Sequence, residues 1–337
     1  MIISQKPTVT VYIPTYNRSG MLKGAVESVL AQSFEDFELI ISDNASEDET
    51  QTVVKSFNDP RIVYLHNDQN IGFQKNWQRS PALSKGRYIT ILSDDDLMMP
   101  ENLALKVEVL SKNERVGLVH SKFHLINGDG MIVKYNTNWA HGPDRDCDAI
   151  ERGREVLEKM LLTFNIINPS TVMFKRECYE RLGGFSKKLR LTDDWEYWMH
   201  IAAYYDVAFL AKPLVKWRVH GGSLTSQFVM GDQKVTTATG FLEEIKARWL
   251  VLRKHPGKIS YRNHLRKRIH LKAIDGFQTR IDEMLCAGGP NPEAIRFVLE
   301  MCRAFPPIIT DKLIWKAFLK SFLSRSSIER LKRICPI

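Results

Sequence analysis

Three consecutive acids, Asp94, Asp95 and Asp96, close an apolar run from Tyr88 to Ser93. Adjacent carboxylates repel one another, and a positive group must offset them. A hard divalent cation with the diphosphate it carries would do so. Carboxylate oxygens suit magnesium or manganese, which keep some waters and bridge to phosphate. The competing reading is a solvated acidic turn in front of a helix that starts near Pro100. A second acidic pair, Asp193-Asp194, opens a segment rich in aromatic residues, Trp195, Tyr197 and Trp198. A carboxylate placed beside an attacking hydroxyl can take its proton as a general base. Two acids at a helix start can also simply complement the helix dipole. Further on, Arg218-Val219-His220-Gly221-Gly222-Ser223 sets an imidazole beside two glycines. Such glycines let backbone N–H groups approach an anion. His220 is then a metal ligand, a diphosphate contact or a structural histidine.

These groups need a scaffold that brings them together. β-branched and apolar runs predict strands over 8–13, 37–41, 61–65, 87–92 and 116–126. Helices are expected over 21–32, 46–57, 73–83 and 100–110, with Pro100 suited to a first turn. Repeated β-α-β order implies a mostly parallel sheet covered on both faces. Ligands of such sheets bind at the carboxyl ends of the strands. Polar residues gather at four of those ends: Pro14 to Arg18, Ser42 to Ser46, His66 to Gly72, and Ser93 to Asp96. Thr15 and Tyr16 can face a nucleobase there. Asp43 can accept from a ring N–H of the kind uracil or thymine offers, or it can cap the next helix, as can Ser46. Beyond this half, 139–154 reads as a loop, followed by a helix to 164, a strand over 170–174, a helix from 191 to about 205 and a short strand over 215–219. From about 232 the pattern is helical and basic.

The chain has 337 residues and a net charge of +9. Between Lys246 and Arg280 there are 11 Lys or Arg and one acid, Asp275. Such a stretch attracts polyanions or anionic lipid, or it is a well-solvated helix face. A nucleic-acid partner is not expected, because Asp94 to Asp96 would repel phosphate unless a metal intervened. Five scattered cysteines without a CxxC pair argue for a reducing compartment and against a zinc ribbon. No apolar run reaches the roughly 18 residues that would cross a bilayer, so a cytoplasmic protein is expected, soluble or peripheral on the inner face of the membrane. Ile314, Phe318 and Phe322 form one helical row and Lys312, Lys316 and Lys320 another. That row either lies on an anionic membrane or packs on the rest of the chain. The loop after the first strand lacks the Gly-rich, Arg-containing character that a sugar-phosphate nucleotidyltransferase needs.

Val11 to Arg18, Asp43 to Thr50, Asn70-x-Gly72, the acidic cluster and Asp193-Asp194 occur in an order and spacing that resemble family 2 glycosyltransferases over residues 8 to 225. The resemblance is to inverting enzymes of the GT-A fold, of the bacterial cell-surface polysaccharide type. It implies an α/β, Rossmann-like, mostly parallel central sheet flanked by helices in residues 1–230. A basic, mostly helical C-terminal region would follow in 231–337. It implies transfer of a sugar from a nucleoside-diphosphate sugar, a UDP-sugar before a dTDP-sugar, with manganese or magnesium. The acceptor would be a hydroxyl of a saccharide or of a polyprenyl-diphosphate-linked saccharide. Carried over by position, Asp194 is the general base, and Asp95, Asp96 and His220 are metal ligands. Pro14, Thr15, Tyr16, Arg18, Asp43, Asn44, Gly72, Lys75, Asp94 and His220 line the nucleotide diphosphate, while Asp193 and Trp195 lie on the acceptor side. Three departures stand out. Ser93 replaces the first acid of the DXD motif, Asn44 stands where many relatives carry Asp, and Asp193 replaces the more usual Glu. The competing function is a catalytically inactive relative that binds a nucleotide sugar or polysaccharide.

Overall fold

Two runs with no exposed face, β1 (Val9–Thr15) and β2 (Phe37–Asp43), are buried along their whole length. Strands buried on both sides read as continuous apolar runs and belong at the centre of a parallel sheet. They pair in parallel, with β3 (Ile62–His66) added beyond β2 and β4 (Tyr88–Ile91) beyond β1. The computed structural model describes residues 6–137, 146–163, 165–223, 233–255, 268–269, 271, 276–277 and 292–304. It divides the chain into two compact units, Met1–His220 and Gly221–Ile337.

In the first unit, α1 (Ser19–Leu30) buries Leu22, Ala25, Val26 and Val29, one stripe at helical spacing. α2 (Thr50–Ser56) follows β2. The single helix expected over 73–83 is two, α3 (Phe73–Gln78) and α4 (Ser80–Leu83). Pro81 has no N–H to continue a helix and sits in the first turn of the second piece. The chain continues through β5 (Leu97–Met98), α5 (Asn102–Lys112), β6 (Val116–Ile126), β7 (Ile132–Thr137), β8 (Ala149–Glu151) and α6 (Gly153–Leu162). A 3-10 turn, Pro169–Thr171, leads into β9 (Met173–Lys175), α7 (Arg176–Leu182), α8 (Asp193–Ala202) and β10 (Asp206–Arg218).

The strand order is β3-β2-β1-β4-β9-β6-β10-β5, with β7 on β6 and β8 on β10. Four ladders are parallel, and β9 joins the two parallel groups by running antiparallel to both β4 and β6. β10 is far longer than the expected 215–219. Its register shifts around Pro213, which cannot donate to a ladder, and this break hides the strand's period in the sequence. β8 lies within the stretch read as loop. In the second unit, the helices Gln233–Lys254 and Pro292–Ala304 are described, and the Phe277 and Phe297 rings stack at 5.5 Å. The amphipathic row at 312–323 lies outside the described residues. Among the described residues, no helix is long and apolar enough to cross a membrane.

Candidate active site

The last residues of β1, β2 and β3 fall in one row, Thr15 beside Asp43 and Asp43 beside His66. The loops after β1 and β2 are sewn together just above it. Asn17, at φ 51°, donates its N–H to Ser46 Oγ at 2.9 Å and accepts from Glu47 N–H at 2.8 Å. Pro14 and Thr15 are buried, whereas Tyr16 is 43% exposed at this edge. Asp43 is completely buried. Its Oδ1 accepts from Ser46 N–H at 2.9 Å, and its Oδ2 accepts from the Tyr64 hydroxyl at 2.5 Å. The carboxylate is engaged from within the protein, and it organises the row. Asn44 is buried too, within a ring of asparagines formed with Asn67 and Asn70. Gly72, at φ 86°, turns the chain into α3, a conformation that L side chains rarely adopt. Lys75 is exposed on α3.

The acidic cluster follows β4, next to β1 in the sheet. Its repulsion is offset by the protein's own groups. Arg18 Nη1 donates to Asp94 Oδ1 and to Asp95 Oδ2, both at 3.0 Å. His220 Nε2 lies 3.0 Å from the same Asp95 oxygen. Arg218 donates its backbone N–H to Asp96 Oδ1 at 2.8 Å and its Nε–H to the Asp95 carbonyl at 2.7 Å. Arg218 also reaches the Asn127 and Gly128 carbonyls in the turn before β7. Ser170 Oγ donates to Asp96 Oδ2 at 2.5 Å. Burial pushes the Asp94 carboxyl up to about 6 against the pull of Arg18. Burial and the Asp95 charge hold Asp96 well above the usual carboxylate range. The two Asp96 oxygens are thus bound by Ser170 and by the Arg218 backbone N–H.

Asp193 and Asp194 open α8, where the helix dipole favours negative charge. Asp194 is partly exposed. Its Oδ2 accepts from Asn165 Nδ2 at 2.9 Å. Burial raises its carboxyl to about 6, opposed by the Trp195 backbone N–H and by Asn165. Asp193 is buried and accepts from Gln78 Nε2 at 2.9 Å. Burial first, and then the Asp194 charge, push it up to about 8. Two neighbouring acids are thus driven apart, one neutral and one ionised near neutral pH. Trp195 is only 1% exposed. Its ring lies in the interior.

The two acidic groups are joined by one loop. Asn165 holds Asp194 and Ser170 holds Asp96, five positions apart, so their Cα atoms are within about 18 Å. Asn165, Ser170, Gln78 and Tyr64 carry no recognisable motif; only the fold brings them to the site. As a cation site, Asp95 Oδ2 and His220 Nε2 stand 3.0 Å apart, about the separation of neighbouring ligands at roughly 2.1 Å from one small ion. A carboxylate with an imidazole suits manganese. Among the described residues, no three metal-binding side chains converge.

The sequence matches glycosyl transferase family 2 over residues 10–188. An uncharacterized glycosyltransferase of Rickettsia prowazekii (strain Madrid E) is 26% identical over 246 residues, covering 72% of this chain and 70% of that protein. The putative colanic acid biosynthesis glycosyl transferase WcaA of Escherichia coli K12 is 37% identical over 105 residues, 31% of this chain and 38% of its own. The crystal structure of S. aureus TarS 1-349 in complex with UDP superposes with a TM-score of 0.62 at 15% identity, covering 93% of this chain and 88% of that one.

Proposed function

Because this chain belongs to glycosyl transferase family 2 and has the GT-A fold, we propose that it is an inverting, metal-assisted glycosyltransferase with Asp194 as its base. The donor is a nucleoside-diphosphate sugar laid along the carboxyl edge of the sheet. Its base lies over the ends of β1 to β3, against Tyr16, and its diphosphate lies toward Asp94, Asp95 and His220. The acceptor is a saccharide or a polyprenyl-diphosphate-linked saccharide of a bacterial surface polysaccharide, approached from the Asp194 side.

The acceptor hydroxyl attacks the anomeric carbon while Asp194 takes its proton. The bond from that carbon to the diphosphate oxygen breaks, and the nucleoside diphosphate leaves with the electron pair. The transition state has oxocarbenium character. Asp194 is suited to this: held at about 6, it is ionised at neutral pH yet basic enough to accept a proton as the new bond forms. Asn165 fixes its orientation. Asp193, neutral at that pH, adds no second charge. Asp95 and His220 would hold a manganese or magnesium ion, which would supply positive charge to offset that building on the leaving diphosphate. Arg18 shares this task from the other side of Asp95.

The observation that carries the reading is the partly exposed, raised Asp194 carboxylate at the start of α8, held by Asn165 on a loop whose Ser170 binds the acidic cluster. Asp194→Asn should fold, bind nucleoside diphosphate within about twofold of wild type, and lose 10²- to 10⁴-fold in kcat, roughly the contribution of a general base. Transfer within a few-fold of wild type would remove Asp194 from this role. Nucleotide binding without hydrolysis or transfer by the wild-type chain would favour an inactive, binding-only relative.

A further inference from the structure

We propose that the β6–β7 hairpin is a lipid-docking edge. It lays Met131, Val133 and Tyr135 into the apolar border of a bilayer and sets Lys134 and Lys216 against the phosphates of its headgroups.

Among the described residues nine large apolar side chains are exposed, and three of them, Met131, Val133 and Tyr135, fall within five positions. They are 67%, 59% and 67% exposed. Alternate residues of a strand share a face, so Val133 and Tyr135 point the same way, with Met131 leading into them over about 13 Å. Single exposed apolar side chains are ordinary, whereas a contiguous group marks a contact surface.

The aromatic member of the group is held in place. His124 Nδ1 accepts from Asn136 N–H at 3.2 Å, and the imidazole meets the Tyr135 ring edge-on with centroids 5.3 Å apart. Asn136 sits at φ 46°, in the left-handed region that few L residues adopt. It lies where the β6–β7 register shifts, between the Leu125–Lys134 and Phe123–Thr137 pairs. Such irregularities re-aim a side chain. A ring fixed outward in advance loses little freedom when it docks.

The chemistry around the stripe points to a lipid surface. Lys134 is exposed between Val133 and Tyr135, and Lys216 lies beside His124 in the β6–β10 ladder. Asp129 is the one acid in the hairpin 127–137. Cations bordering an apolar stripe complement phosphates lying over acyl chains. Lys runs its alkyl stem along apolar surface and keeps its ammonium in the polar layer, and Tyr favours that same boundary. A second copy of the chain fits less well. Register shifts on both sides of Leu125 interrupt the β7 edge, and an interrupted edge is a poor template for another strand. The hairpin is also tied to the candidate active site. Arg218 donates to the Asn127 and Gly128 carbonyls in its turn and to the Asp95 carbonyl in the acidic cluster. Docking through this edge brings that site to the membrane surface, within reach of a lipid-borne acceptor.

The test sediments the full chain with vesicles of phosphatidylcholine and phosphatidylglycerol in about 1 M salt, where the Debye length is about 3 Å and charge contributes little. Wild type should retain measurable binding. Met131→Ser, Val133→Ser and Tyr135→Ser combined should bind about 100-fold or more weakly, the scale of three apolar side chains left in water, with an unchanged melting temperature. Should the combined variant melt earlier, Tyr135→Trp decides. Its emission should be quenched by phosphatidylcholine brominated in the acyl chains beyond the quenching of wild type. Equal binding by wild type and a folded combined variant, no vesicle binding by wild type, or no added quenching in Tyr135→Trp would overturn the proposal. A wild type that is dimeric without lipid, beside a monomeric combined variant, would give this edge to a second copy and overturn it as well.

Discussion

Asp193 and Asp194 are chemically identical side chains given different work by their surroundings. Asp194, at about 6, must be ionised to act as a base, so the rate should climb with pH and level off above about 7. The measurement is kcat/KM against pH, and a flat profile from 5 to 8 would contradict it. Asp193, at about 8, has a consequence for stability. Its folded value lies above the usual value of about 3.9 for an exposed Asp. Its contribution is therefore complete below about pH 4 and is lost as pH rises through about 8. Asp193→Asn stays neutral and can still accept from Gln78. Its melting temperature should gain on wild type between pH 5 and 8.5, by about 2–4 °C for each kcal/mol; a constant difference would refute the shift. Legibility at this scale was partial. Asp94 to Asp96, Asp194 and His220 stood out in the sequence because clustered acids and a Gly-flanked histidine are rare. The partners that decide their chemistry, Arg18 among them, were invisible as partners, because a hydrogen bond across 76 positions leaves no local trace.

Elements place these residues through close backbone approach. The N-terminal end of α6 lies against the end of α8, the helix that carries Asp194. Gly153 donates its N–H to Asp206 Oδ1 at 3.0 Å, and a Cβ there would stand 1.8 Å from the Tyr205 carbonyl oxygen and 2.4 Å from that of Ala202. Both are backbone atoms, so one helix would have to move. Gly153→Ala should cost about 2 kcal/mol or more, seen as a melting temperature lower by about 4–8 °C, with kcat falling while nucleotide binding at β1 to β3 holds. An unchanged melting point would show that the helices part without strain. The sequence announced the strands β1 to β4 because each is a short apolar run closed by polar residues. β9 was expected nearby, but not its antiparallel pairing with both β4 and β6, since strand direction is set by the path of the chain and not by composition. β10 was mostly missed because the break at Pro213 splits it.

At the scale of the whole molecule, charge is divided between the two units. Gly221–Ile337 contains 21 Lys or Arg against ten Asp or Glu, a net +11; the 27 and 29 of Met1–His220 leave −2. The net charge of +9 thus comes entirely from the second unit, while the unit that carries the acidic site is close to neutral. A long-range field of this kind draws a protein to polyanions without involving its catalytic groups. An acceptor carried on a lipid diphosphate would place the enzyme at an anionic surface, where each nearby Lys or Arg contributes about 1 kcal/mol. The combined substitution Arg266→Glu, Lys267→Glu and Arg268→Glu should therefore weaken binding to vesicles rich in anionic lipid by about 100-fold or more. Donor affinity should not change, since the groups proposed to bind the nucleotide lie in the other unit. Wild-type binding should fall steeply between low and high salt, as the Debye length shrinks from about 30 Å at 0.01 M to about 3 Å at 1 M. Equal retention of wild type by neutral and anionic vesicles, or binding indifferent to salt, would assign the basic unit to some other partner.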